Sequence, residues 1–188
     1  MKLDLKCDRC LLCQGRANVV GPSGNISSTL VFVGEAPGAN EDRTGKPFVG
    51  KAGKMLDRLL AENGLPRESI MITNAVKCRP PNNRRPTKEE VDSCRPYLED
   101  DLNGRCLVVA LGLTASQGLL GRKVTLKVDA NQVFQVEFGN GTISVMPTYH
   151  PSACLFNLTA RRGLKEGIAT AMGRCGITRT QNTFGKGT

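Results

Sequence analysis

LVFVGEAPGANEDRTGKPFVGKAG, residues 30–53, contains a whole strand-to-helix transition, and its reading decides the fold. Residues 30–33 form a short apolar run, rich in β-branched and aromatic side chains. Gly34, Pro37 and Gly38 cut it off sharply, the pattern of a buried strand ending in a turn. From Ala52 onward, Ala52, Met55, Leu56, Leu59 and Leu60 recur at helical spacing until Gly64 stops them. Between strand and helix lie Glu35, Glu41, Asp42 and, after Pro47, Phe48. Carboxylates and an aromatic on a glycine-rich loop at the carboxyl end of a strand occupy the place where an open α/β sheet sets its ligand site.

The rest of the chain repeats the alternation. Residues 70–76, IMITNAV, read as a second buried strand carrying Asn74 near its end. An amide there either satisfies loop backbone groups or faces a ligand. KCRPPNNRRP follows, with Arg79, Arg84 and Arg85 among its prolines, and must be an exposed basic loop. Thr87 and Glu90 then form a capping box, and Val91, Cys94, Leu98 and Leu102 keep one apolar helical face. CLVVAL at 106–111 is a third apolar strand ended by Gly112, and 114–120 a short helix, so the pattern is βαβαβα. Residues 133–138 and 142–146 alternate about Gly139-Asn140-Gly141 as a hairpin whose second arm runs into PTYHPS. That places His150, the sole histidine, just past a strand end. Residues 158–175 read as a last amphipathic helix, and 178–188 as a loose tail after a single domain spanning 1–177.

The 188 residues carry 26 Lys and Arg against 17 Asp and Glu, a net charge of +9, which favours a polyanionic partner such as nucleic acid over a role in solubility alone. No transmembrane run or signal peptide is visible, and a cytoplasmic protein is expected. Eight cysteines without a secretory signal argue for metal ligation rather than a disulfide framework. Cys7, Cys10 and Cys13 open the chain in CDRCLLC, while Cys78 and Cys94 flank the basic loop. One C-x-x-C pair plus these two gives four thiolates, enough for a tetrahedral zinc or the corners of a [4Fe–4S] cluster, and spacing does not choose between them. Redox dithiol chemistry ranks last, because the pair does not open a helix after a strand. Cys106, Cys154 and Cys175 read as small core residues.

Glu35, Glu41, Asp42, Asn74 and His150 each follow a strand end, and parallel strands end on one side, so these groups are expected to converge. On a basic protein such a crevice suits an extruded nucleobase. An amide can donate to uracil O4 and accept from N3–H, whereas cytosine presents the opposite pattern. Phe48 can stack on the base. Donation from His150 to O2, with a carboxylate near the sugar, would answer the charges that develop when an N-glycosidic bond breaks.

With GEAPGANEDRTGKPFVGKAG, TNAVKCRPPNNRRP and YHPS in order over nearly its whole length, the chain resembles the family-4, iron–sulfur, thermophile-type uracil-DNA glycosylases. The resemblance implies a three-layer αβα fold on a central four-stranded parallel sheet, and a monomer that releases uracil from uracil-containing DNA. It implies a [4Fe–4S] cluster on Cys7, Cys10, Cys78 and Cys94, with Cys13 left out because Gly15, Arg16 and Val19-Val20 align when Cys10 is the second ligand. It gives Gly34, Glu35 and Ala36 to the uracil, Glu41 to the sugar and water, Phe48 to stacking, Asn74 to the base edge and His150 to O2. Arg79, Arg84, Arg85, Ser152, Leu155 and Arg161 would meet DNA, the 153–155 loop supplying a wedge for the gap left by the base.

The chain departs from the family where Phe156 replaces an arginine after HPS and where Asp129-Ala130 replaces Arg-Gly before the hairpin. A histidine-bearing insertion that lets some relatives trap DNA is absent after Lys77, so turnover with product release is expected. A catalytically silent nucleic-acid-binding module with a structural metal would keep the cysteines and charge but have no need of Glu41, Asn74 and His150 together. An electron carrier would keep only the cluster.

Overall fold

A computed structural model describes residues 2–178. Apart from its first residue, the expected C-terminal tail lies outside them. Six strands form one sheet: β1 (Ser23–Gly24), β2 (Leu30–Gly34), β3 (Met71–Asn74), β4 (Leu107–Leu111), β5 (Phe134–Phe138) and β6 (Gly141–Thr148), in the order β1-β3-β2-β4-β6-β5. The inner four, β3, β2, β4 and β6, are all parallel, as expected. Two antiparallel edge strands extend the sheet beyond the four parallel strands the resemblance implies: β5, the first arm of the expected hairpin, and β1, which the sequence did not indicate. The hairpin is therefore asymmetric, since its second arm is an interior parallel strand and its first arm caps an edge.

The helices are α1 (Ala39–Thr44), α2 (Lys51–Glu62), α3 (Lys88–Leu102), α4 (Leu113–Leu120), α5 (Leu126–Asp129) and α6 (Leu158–Arg174). Both faces of the sheet are covered, which explains why its inner strands are continuously apolar rather than alternating. Leu30 and Phe32 of β2 pack with Leu56, Leu59 and Leu60 of α2 and with Leu164 and Ile168 of α6. Val31 and Val33 face the other way, against Leu98 and Leu102 of α3 and Ala115 and Leu119 of α4.

The route from β2 to β3 runs to one side of β2 and the route from β3 to β4 returns to the other, so the connections diverge between β2 and β4. That topological switch point opens a crevice at the carboxyl ends of the strands. Two features were not legible as sequence. The acidic loop folds into the short helix α1, and the expected α2 begins at Lys51, after Gly50. Thr87 and Glu90 do form the reciprocal capping box that starts α3. No helix among the described residues is long and apolar enough to cross a membrane.

Candidate active site and cysteine corner

A cavity of about 440 Å³ opens at the switch point and is lined by Glu35, Ala36, Gly38, Glu41, Phe48, Asn74, Arg84, Arg85, His150 and Ser152. Its floor is fastened by backbone. The Ala75 and Val76 N–H groups donate to the carbonyls of Gly34 and Glu35 at 2.9 and 3.0 Å, tying the loop after β2 to the loop after β3. Asn74 ends β3 with only 2% of its surface exposed, and its side-chain amide makes no hydrogen bond among the described residues. A buried amide without a protein partner, facing a cavity, is a group waiting for a ligand. Gly34 makes room for it: a Cβ there would fall 2.4 Å from Asn74 Oδ1 and 2.6 Å from the Phe48 ring.

Phe48 is buried and holds a φ of +53°, a left-handed conformation that costs a bulky residue about 1–3 kcal/mol. Arg67 clamps it there, donating from Nη1 to the Phe48 carbonyl at 3.1 Å and from Nη2 to the Pro47 carbonyl at 2.6 Å. Asp57 of α2 orients the guanidinium in turn. Gly53 lets the backbone of Phe48 approach, since a Cβ there would collide with its carbonyl. The Phe48 and His150 rings lie 6.0 Å apart at a 38° tilt. Arg67 and Gly53 are functional neighbours that sequence reading missed, because nothing in their local pattern points to a contact made across loops.

His150 follows β6 on the half-buried wall of the cavity. Its Nδ1 accepts from the Ser152 backbone N–H at 3.1 Å and lies 2.7 Å from the Ser152 hydroxyl. An Nδ1 that accepts leaves the proton of a neutral ring on Nε2. Burial pushes the His150 pKa down to about 4, so the neutral form is the working one. Gly112 allows β4 to come close, as a Cβ there would sit 2.8 Å from that of His150.

The acidic loop splits into two tasks. Glu41 borders the cavity, and its Oε1 accepts from the Val49 and Gly50 N–H groups at 2.9 and 2.8 Å, bracing the turn that carries Phe48 into α2. Asp42 turns away from the cavity and accepts from the Ala17 and Asn18 N–H groups at 2.9 and 3.2 Å. It anchors the cysteine-bearing N-terminus instead of joining the mouth, because α1 points residues 41 and 42 in different directions.

Three of the expected DNA-contacting arginines already have protein partners. Arg84 places both terminal nitrogens on Glu90 at 2.8 and 2.6 Å, Arg79 bonds Asn83, and Arg161 pairs with Glu62 at 3.1 Å. Arg85 remains beside the cavity. Beyond Ser152, Leu155, Phe156 and Leu158 are exposed, Phe156 at 93%, so an apolar ridge stands beside the mouth.

Cys7, Cys10, Cys78 and Cys94 line one cavity together with Arg16, Val19, Lys77 and Tyr97, whereas Cys13 does not border it. Among the described residues no three His, Cys, Asp or Glu side chains converge on the position of a single metal ion. The donor set nevertheless suits a metal group. Burial raises the Cys78 thiol to about 11 while the Arg16 guanidinium, 3.5 Å from its sulfur, pulls the other way. Cys94 is likewise raised, by burial first. Four sulfurs from three segments, buried except for the half-buried Cys10, are what a thiophilic metal group would hold as thiolates. Beside them, Lys77 is 1% exposed and its Nζ donates to Thr73 Oγ1, the Asn74 carbonyl and Asp101 at 2.7, 2.8 and 2.6 Å. Its side chain thus fastens the strand end that carries Asn74 directly next to Cys78.

Of the remaining cysteines, Cys154 is buried as expected. Cys106 is exposed and Cys175 only half-buried, so neither is an ordinary core residue.

The αβα sheet, parallel in its four central strands, thus carries at its switch point a crevice bordered by a buried amide with no partner among the described residues, an aromatic ring and a histidine held neutral by burial. The family model of the uracil DNA glycosylase superfamily matches residues 22–168, and the chain belongs to that superfamily. It is 40% identical to the type-4 uracil-DNA glycosylase of Saccharolobus solfataricus, over 97% of this chain and 89% of that protein. It is 46% identical to the type-4 uracil-DNA glycosylase of Thermotoga maritima over 88% of each, and 39% identical to that of Sulfurisphaera tokodaii over 86% and 77%.

Proposed function

We propose that this chain is a uracil-DNA glycosylase that hydrolyses the N-glycosidic bond of deoxyuridine in DNA, releasing uracil and leaving an abasic site. The observation that carries the reading is the buried Asn74 amide, without a partner among the described residues, bordering a cavity shared with Phe48 and His150. Its NH₂ donates to uracil O4 and its oxygen accepts from N3–H, and a cytosine would leave both unpaired, a mismatch of several kcal/mol in a buried site. Phe48, locked by Arg67, stacks on the ring, with Gly34, Glu35 and Ala36 forming the edge of the slot.

As the C1′–N1 bond breaks, its electron pair passes to the base and charge gathers on O2. The His150 Nε2–H, fixed by the two Ser152 contacts on Nδ1, meets that charge. A neutral imidazole serves here by hydrogen bonding, with no proton to give up beforehand. Water adds to the sugar carbon and loses its proton to solvent. Glu41 places negative charge beside the sugar while its other task is to brace the turn.

Cys7, Cys10, Cys78 and Cys94 would hold a [4Fe–4S] cluster, the choice of cluster over zinc resting on the resemblance to the iron–sulfur family. When bound, it supplies a cross-link between the N-terminus and the basic loop. Arg79, Arg84, Arg85, Ser152, Leu155 and Arg161 form the DNA side, with the Leu155–Phe156 ridge as wedge. Since one chain contains every group of the site, the protein is read as a monomer, working in the cytoplasm.

The test is incubation of the holoprotein with a single-uracil oligonucleotide followed by alkaline cleavage of abasic sites. Strand cleavage at the uracil and none at a cytosine control is expected. No cleavage, with the visible absorption of the cluster intact, would instead leave a nucleic-acid-binding module.

A further inference from the structure

Cys106 and Cys175 lie 69 residues apart in the chain, yet their sulfurs are 2.8 Å from each other. Cys106 immediately precedes β4 and Cys175 caps the C-terminus of α6, so two elements from different layers meet through this pair. Among the described residues, the only other hydrogen bond of either sulfur is from Cys106 Sγ to the Arg174 carbonyl at 3.7 Å. A thiol is a weak donor and a weak acceptor, and such contacts give little reason for two cysteines to be set face to face. Cys106 is exposed, which makes it reachable from solvent, and Cys175 beside it is half-buried.

We propose that Cys106 and Cys175 are a thiol–disulfide site that closes on reaction with a small-molecule disulfide and staples the end of α6 to the start of β4. The Cys106 thiolate attacks one sulfur of R–S–S–R, forming a mixed disulfide and expelling R–S⁻. Cys175 then loses its proton, attacks the Cys106 sulfur and expels the second R–S⁻. Two protein thiols are oxidised to one disulfide while the reagent is reduced to two R–SH, the protons passing to the leaving thiolates. Burial and the neighbouring Cys106 sulfur hold the Cys175 thiol up to about 12, which makes the second step the slower one.

The position of the pair explains what the bond would do. It encloses β4, the hairpin, the His150 loop and α6 in one loop, and a loop of that length is the kind whose closure most constrains the unfolded chain. It also sits at the amino end of β4, about 20 Å along the strand from Gly112, which meets His150 at the other end. Closure therefore stabilises the fold and leaves the catalytic mouth as it is. This inference is independent of the reaction assigned above.

The experiment treats the full-length holoprotein with trans-4,5-dihydroxy-1,2-dithiane, blocks remaining thiols with N-ethylmaleimide and maps the peptides by mass spectrometry. The expected product is one cross-linked peptide pair joining 106 and 175, lighter by two hydrogens. The thermal midpoint should rise by about 5–10 °C, reversibly with dithiothreitol. Cys106→Ser should abolish both the cross-link and the shift while its uracil release matches that of the unmodified protein. Cys106→Ala serves equally if the serine variant folds poorly. Maleimide on both Cys106 and Cys175 after oxidation, a stable mixed disulfide on Cys106 alone, or the same shift in the Cys106 variants would overturn the proposal.

Discussion

The catalytic mouth and the cysteine corner share a wall at residues 74–78, yet they are held in different ways. Around the mouth, loops are tied by backbone bonds between residues 34–35 and 75–76, by the Glu41 brace and by the Arg67 clamp. The cavity stays open with Asn74 unpaired inside it. At the corner, the N-terminal segment meets the core through an apolar cluster of Leu12, Val19, Val76, Cys78 and Cys94 and through scattered polar contacts. Asp42 holds residues 17 and 18, the Val20 N–H donates to the Lys77 carbonyl at 2.7 Å, and Arg16 reaches Cys78, while the four thiols offer one another little. The mouth is preorganised by protein contacts, whereas the corner is the arrangement that the proposed cluster would complete.

The largest blow to this contrast would come from the corner. Cys78→Ser should lose the bound metal and most of the soluble folded protein together, read by iron content and circular dichroism; a folded, fully active, iron-free variant would show the corner to be dispensable. At the mouth, Asn74→Ala should lower the single-turnover rate by about 100- to 1,000-fold with metal content and melting unchanged. A smaller decline would mean that the amide reads little of the base. Arg67→Ala should cost about 10- to 100-fold by freeing Phe48 from its left-handed backbone, the price of misplacing a stacking group. Equal rates would show that Phe48 holds its place without the clamp.

The mildest effect is on pH. The folded His150 ring takes its proton near pH 4, below the ordinary histidine value, because burial disfavours its charge. Glu35, Glu41, Arg84 and Arg85 line the same cavity. Between pH 6.5 and about 4 the unfolded chain thus binds the proton that the folded chain does not, and stability falls as pH falls through that window. His150→Gln should flatten that slope in denaturant titrations. The wild-type rate should show no acid limb from His150 until pH approaches 4, and a limb centred at 6.5 would mean that the ring is solvated.

Much of the mouth was legible before any coordinates. Strand ends could be placed from apolar runs and their glycine and proline stops, and parallel strands forced Glu35, Asn74 and His150 towards one side. Asp42 went elsewhere because a one-residue step along α1 rotates a side chain by about 100°, which a loop reading cannot anticipate. The edge strand β1 was missed, since pairing at an edge depends on which neighbour comes near rather than on local pattern, whereas β5 was legible as a hairpin arm. The same holds for Arg67 on Phe48, for the ion pair of Arg84 with Glu90 and for the pairing of Cys106 with Cys175.

By itself the sequence determined the alternation of strands and helices, the cysteine inventory, the basic charge and the set of groups available for chemistry. These follow from periodicity and residue type along a few neighbouring positions. Only the tertiary structure decided which carboxylate faces the cavity, which tautomer His150 holds, which arginines remain unpaired and which thiols touch. Those depend on distances between residues far apart in the chain, and no local pattern carries them.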